Sequence, residues 1–178
     1  MMPGIANDIG DDDWREHYTP ELKKSYQTTT ERISFDLDTC KTILIDCDGV
    51  LTNGNLTIDH NGEKLFKQFH VRDVRAIREL VANGYEVVII SADDWPGIFH
   101  YAEKVGAVVH IAKDKSNIPF ENFIAIGDDA WDVKMLRNAT MAFCPNDADR
   151  SVLRVNGIYR LEKDGGKGVI SEMIGYIL

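Results

Sequence analysis

Short unbroken apolar runs alternate with apolar positions at helical spacing along most of this 178-residue chain. Ile43-Leu44-Ile45 is β-branched-rich and uninterrupted, which predicts a strand buried on both faces. Leu56–Asp59 and Lys64–Phe69 flank His60-Asn61-Gly62-Glu63, and Asn-Gly between alternating segments predicts a hairpin over about 54–69. Val74, Ile77, Leu80 and Val81 fall at helical spacing, with Gly84 ending the helix. Tyr85–Ile90 is the next predicted buried strand, stopping at Ser91. Pro96 opens a second helix, with Asp93 or Asp94 near its N-cap, Gly106 past its end, and Ile98, Phe99, Ala102 and Val105 as its core face. Strands follow at Ala107–Ile111, Phe123–Ile126 and Thr140–Phe143, the last preceded by a helix carrying Met135 and Leu136. A short helix around Val152 to Val155, a possible edge strand at Ile158–Leu161 and a final helix over Val169–Leu178 complete the pattern. Strands alternating with helices predict an α/β fold, a parallel sheet wrapped on both faces.

The predicted strands end in chemically useful residues. Asp46 and Asp48 follow the first, Ser91 the second, Lys113 or Lys115 the third, and Asp128 and Asp129 follow the fourth. Side chains alternate along a strand, so Asp46 and Asp48 leave it on roughly one side, with Cys47 on the other. Two carboxylates so close are costly unless a cation or protons neutralise them. Open parallel sheets bind ligands at this edge. Together the groups offer oxygen ligands for Mg²⁺, a hydroxyl and an ammonium for a phosphoryl group, and a carboxylate to attack it. Each residue alone has a plainer explanation. A serine after a strand commonly caps the next helix, and an acid after Gly127 could cap the helix that holds Trp131.

Residues 1–32 differ from the rest, with the charge run Asp11–Asp13, the breakers Pro3 and Gly4 and the polar Thr28–Thr30. They are expected to form an arm, ordered in part at most, with a short helix around Glu21 to Tyr26, ahead of a single domain over 33–178. A net charge of −9 argues against nucleic acid or an anionic membrane as partner. Three cysteines without metal-type spacing predict reduced thiols. With no apolar run near 18 residues and an acidic beginning, the chain is expected to be cytoplasmic.

Asp46-Cys47-Asp48-Gly49-Val50, Ser91, Lys115 and Gly127–Asp132 resemble motifs one to four of the haloacid dehalogenase (HAD) superfamily of phosphatases. Thr52, the hairpin, Val71-Arg72-Asp73 and Gly165–Val169 look like the capless subclass of 3-deoxy-D-manno-octulosonate 8-phosphate phosphatases and their nonulosonate 9-phosphate relatives. The likeness spans about residues 41–178. It implies a three-layer Rossmann-like sandwich with the hairpin inserted after the first strand. It further implies a phosphatase of carbohydrate metabolism acting on a sugar-acid phosphate, with Mg²⁺ as cofactor. Asp46 would be the nucleophile and Asp48 the general acid/base. Metal would be held by Asp46, the backbone carbonyl of Asp48 and Asp128, supported by Asp129 or Asp132. Ser91 and Lys115 would bind phosphoryl oxygens. The hairpin would build a homotetramer, in which Arg72 and Lys167 are candidate substrate contacts. A surface ion pair with Asp73 is the plainer expectation for Arg72.

The chain also departs from the subclass. Ala92-Asp93-Asp94 replaces the usual Gly-Arg after motif two, Val74 replaces a glycine, and Trp131 stands where Asn is common. Only seven residues, Ser116–Asn122, separate Lys115 from Phe123. A parallel crossover ordinarily takes about a dozen or more residues. That predicts a displaced Lys115, with Lys113 in its place. Two other classes stay open on the residues alone: a receiver-type phospho-acceptor domain, and a catalytically weakened relative kept for assembly or ligand binding.

Overall fold

The structure, a computed structural model, describes residues 40–178; the predicted arm and its helix lie outside the described residues. Six parallel strands make one sheet: β1 (Thr42–Asp46), β4 (Glu86–Ser91), β5 (Val108–Ile111), β6 (Phe123–Ile126), β7 (Met141–Cys144) and β8 (Tyr159–Arg160), in spatial order β5-β4-β1-β6-β7-β8. β2 (Thr57–Ile58) and β3 (Lys64–Phe66) form the separate antiparallel hairpin between β1 and α1 (Val71–Ala82). The other helices are α2 (Pro96–Val105), α3 (Val133–Asn138) and α4 (Ile170–Ile177).

Alternation along the strands sorts the apolar side chains into two cores. Ile43, Ile45, Val87, Ile89, Ile124 and Ile126 face α1, α2 and α4. Leu44, Val88, Ile90 and Ala125 face the opposite way, toward α3 and the turn Val152–Arg154. Burying a branched aliphatic side chain of this kind contributes about 1.5–3 kcal/mol. The two cores make the fold three-layered, as the strand pattern predicts.

Several local expectations are corrected. Phe99, assigned to the core face of α2, is exposed. Asp93 and Asp94 do lie near the N-cap of α2, which is Trp95 itself, and the Asp93 carboxylate accepts from the Trp95 N–H at 3.2 Å. The helix around Val152 is a single 3₁₀ turn. Lys115 is not displaced. The link from β5 to β6 contains no helix, yet it crosses the second core with Ile118 and Phe120 packed beneath it. It must cross three strand spacings, about 14 Å, and return along a strand of about 13 Å. Eleven residues of extended chain, Ala112–Asn122, reach about 36 Å.

After Asp46 the chain makes one wide turn, Cys47–Leu51, closed by the Thr52 N–H donating to the Cys47 carbonyl at 3.0 Å. Gly49 in this turn has φ +97°, and a Cβ there would lie 2.0 Å from Asp128 Oδ2. A Cβ on Gly165 would in turn lie 1.8 Å from the Gly49 carbonyl oxygen. Glycines are required at both positions for the loop after β6, the turn after β1 and the C-terminal loop to stack this closely.

Candidate active site

Because β5, β4, β1 and β6 are spatial neighbours running the same way, their carboxyl ends share one edge of the sheet. A cavity of about 230 Å³ opens there, lined by Asp46, Asp48, Ser91, Ala92, Lys113, Lys115, Asp129 and Trp131. Asp46 is the last residue of β1 and Ser91 the last of β4, and both are buried. Asp48, two residues on in the wide turn, is half exposed.

Lys115 is buried and donates to two carboxylates, Asp46 Oδ1 and, at 2.6 Å, Asp132 Oδ1. Burial works against its ammonium, but Asp46 and Asp132 together hold its pKa above the usual lysine value. The second oxygen of Asp132 accepts from the backbone N–H groups of Asp128 and Asp129, at 2.9 and 3.1 Å. Asp132 is thereby satisfied on both sides and fixes the loop that carries Asp128. Asp129 is exposed on the cavity wall, accepting from the Trp131 N–H at 2.7 Å.

Oxygens of Asp46, Asp128 and Asp132 lie within 4.8 Å of one another. Three carboxylates face a single buried lysine, so the cluster carries excess negative charge. Burial, reinforced by Asp132, pushes the Asp46 carboxyl well above the usual carboxylate range. Burial, again with Asp132 beside it, pushes Asp128 up to about 7. Among the described residues, Asp128 Oδ1 is buried without a hydrogen-bond partner. A hard divalent cation with oxygen ligands meets both needs, the excess charge and the orphan oxygen. The residues present therefore fit a metal.

The remaining expected residues lie elsewhere. Arg72 lines a second cavity with Arg75, Ala76, Lys163 and Ser171. Lys167 is exposed on the C-terminal loop. Neither lines the cavity holding Asp46. Arg72 makes no ion pair with Asp73, which instead accepts from the Ser171 N–H at 2.9 Å and so ties α1 to the start of α4. Sequence reasoning missed Lys67. Its ammonium lies 2.6 Å from Asp48 Oδ2 and 3.0 Å from Asp93 Oδ2. Lys67 lies just past the end of β3, and the hairpin signal that covers it gives no reason to bring its ammonium to the acid pair. All three cysteines are free and buried.

Comparison with known proteins bears on this geometry. Residues 99–170 match the haloacid dehalogenase-like hydrolase family. Over 156 residues the chain is 33% identical to the 3-deoxy-D-manno-octulosonate 8-phosphate phosphatase of Haemophilus influenzae, spanning 80% of this chain and 84% of that protein. The cobalt-bound structure of the H. influenzae enzyme superposes with a TM-score of 0.71 at 30% identity, covering 80% of this chain and 89% of that one. The Moraxella catarrhalis phosphatase, solved with magnesium ion, phosphate ion and KDO, shares the fold at 24% identity with a TM-score of 0.71, over 78% of this chain and 86% of that one. The chain belongs to the haloacid dehalogenase-like hydrolases and is a phosphatase of the kind that resembles 3-deoxy-D-manno-octulosonate 8-phosphate phosphatase.

Proposed function

We propose that this phosphatase hydrolyses the phosphomonoester of a small sugar acid, of octulosonate or nonulosonate type, with Mg²⁺ and through an aspartyl-phosphate on Asp46. The observation that carries this reading is one cavity lined by Asp46, Asp48, Ser91 and Lys115, with the orphaned oxygen of Asp128 in the acid cluster beside it. The names of the relatives supply the substrate class.

In this mechanism the Asp46 carboxylate attacks phosphorus, forming a P–O bond to Asp46 as the bond to the leaving oxygen breaks. The Asp48 carboxyl gives its proton to that oxygen. Asp48 then takes a proton from the water that attacks the phosphorus of the acyl phosphate, freeing inorganic phosphate and Asp46. The Ser91 hydroxyl accepts from the Asp93 N–H at 3.0 Å, which leaves its own proton to donate to a phosphoryl oxygen. Lys115 balances charge beside the nucleophile. Asp46, Asp128 and the Asp48 carbonyl would hold the metal, with Asp132 in support, and the ion would supply charge neutralisation for the phosphoryl group.

The proposal includes a homotetramer. Five of the nine exposed large apolar residues among those described, Leu56, Ile58, Leu65, Phe66 and Val71, lie on the hairpin or just after it. A second copy of the chain would cover that face. Light scattering should give four chains per particle. No helix among the described residues is long and apolar enough to cross a membrane, and the free cysteines suit a reducing compartment such as the cytoplasm.

The test is phosphate release from a panel of phosphorylated sugars, sugar acids and nucleotides, with Mg²⁺ and with EDTA. Release from octulosonate or nonulosonate phosphates that needs Mg²⁺ is the expected result. Release from other phosphates alone would remove the sugar-acid part, and release undiminished by EDTA would remove the metal.

A further inference from the structure

Asp48 is the catalytic carboxylate that the core does not fix. Asp46 is locked by Lys115, and Asp132 by Lys115 and two backbone N–H groups, whereas Asp48 is half exposed on a wide turn. Among the described residues its carboxylate has two side-chain partners: the Thr52 hydroxyl, donating at 3.2 Å to Oδ1, and the Lys67 ammonium at 2.6 Å from Oδ2. Thr52 belongs to the same local turn. Lys67 comes from nineteen residues away, and its side chain is only 5% exposed.

A buried ammonium needs more than one half-exposed carboxylate to stay in place. The second carboxylate is Asp93. Its Oδ2 lies 3.0 Å from Lys67 Nζ and also pairs with Lys64, while its Oδ1 accepts from the Trp95 N–H. Asp93 is thus fixed to the start of α2 and grips both hairpin lysines. Burial opposes its charge, but Lys64 and Lys67 hold its pKa below the usual carboxylate range. Phe69, two residues past Lys67, stacks on Tyr101 of α2 with ring centroids 3.9 Å apart, which anchors the same segment a second time. Asp93 stands two residues after Ser91, where the resembling phosphatases carry arginine. The acid there does not leave the site mouth without a cation; it brings one in from the hairpin.

We infer that Lys67 is a positioning residue that aims the Asp48 carboxyl at the leaving oxygen, and that Asp93 holds Lys67 in place for that task. This rests on the reading of Asp48 as the acid that protonates the leaving group. Positioning of that acid matters most for an alkyl phosphate, whose alkoxide is a poor leaving group, and least for p-nitrophenyl phosphate, whose phenolate departs without a proton.

The experiment compares kcat/KM, which reports the steps through the first phosphoryl transfer, for the wild-type enzyme's sugar phosphate and for p-nitrophenyl phosphate. Lys67→Met should lose about 10²-fold on the sugar phosphate, the scale of a misplaced catalytic group, and at least tenfold less on the aryl ester. Lys67→Arg should restore part of the loss. Asp93→Asn, which leaves Lys67 present, should show the same skew at smaller size. Asp48→Asn run alongside must show the skew most strongly. Equal losses of Lys67→Met on both esters, or none, while Asp48→Asn is skewed would overturn the role of Lys67 alone. An unskewed Asp48→Asn would overturn the acid/base assignment, and this inference with it.

Discussion

Lys115 Nζ donates to Asp132 Oδ1 at 2.6 Å, joining the helix-free link after β5 to the loop after β6 in the floor of the cavity. The same ammonium donates to Asp46, so one lysine is the counter-charge for two buried carboxylates from different strand ends. Removing one partner of such a group strands the others. Lys115→Met should therefore lose about 3–5 kcal/mol of stability at pH 8, with Mg²⁺ recovering part of it. Thermal denaturation with and without metal measures this. An unchanged melting temperature would mean that the ion pairs contribute nothing net.

Asp128 offers the complementary case. Its buried Oδ1 has no partner among the described residues, and burial with Asp132 beside it raises its pKa to about 7, so the ionised form is disfavoured there. Mg²⁺ at a hundredfold excess over Kd should stabilise the wild type by about 2.7 kcal/mol. Asp128→Ala should melt at or above the wild-type temperature in EDTA and gain little from Mg²⁺. A full metal-induced shift in the variant would place the ion elsewhere.

Asp73 contributes a pH dependence whose sign can be worked out. Burial lifts its native pKa from 3.8 to about 6, so the native state binds its proton more tightly than the unfolded chain. Stability from this group is therefore gained as pH falls from above 6 toward 4, and lost as pH rises through 6, by about 3 kcal/mol at most. Asp73→Asn keeps an acceptor for the Ser171 N–H and removes the charge. The variant should be more stable than the wild type at pH 7.5, and the difference should shrink by pH 4.5 in urea titrations. A difference constant across that range would contradict the assignment.

The layers of this fold were legible because β1, β4 and β6 are built on unbroken apolar runs with polar residues at or just past their ends, and parallel strands bring those ends to one edge. Asp46, Asp48 and Ser91, with Lys113 or Lys115 as the cation, were readable as a group for that reason, since order along the chain became adjacency across the sheet. The β5–β6 crossover was misread because crossover rules describe links built on a helix. Here Ile118 and Phe120 do the covering that a helix would, and extended chain reaches further per residue. Phe99 was misread because helical spacing cannot tell the edge of an apolar face from its centre. Lys67 was invisible, since its task depends on where the hairpin folds back, which no local pattern encodes. Asp93 was read as the loss of an arginine; its bonds to Lys64 and Lys67 had no signature in the chain.

The central claim is that Asp46 is the nucleophile, and acid-quenched turnover tests it most directly. Wild-type enzyme mixed with labelled sugar phosphate and Mg²⁺, quenched within one turnover and digested, should yield a phosphorylated peptide containing Asp46. That label should be lost to hydroxylamine, as an acyl phosphate is. Asp46→Asn should fold normally, carry no label and release no phosphate. Label on another residue, or near-full activity in Asp46→Asn, would contradict the account.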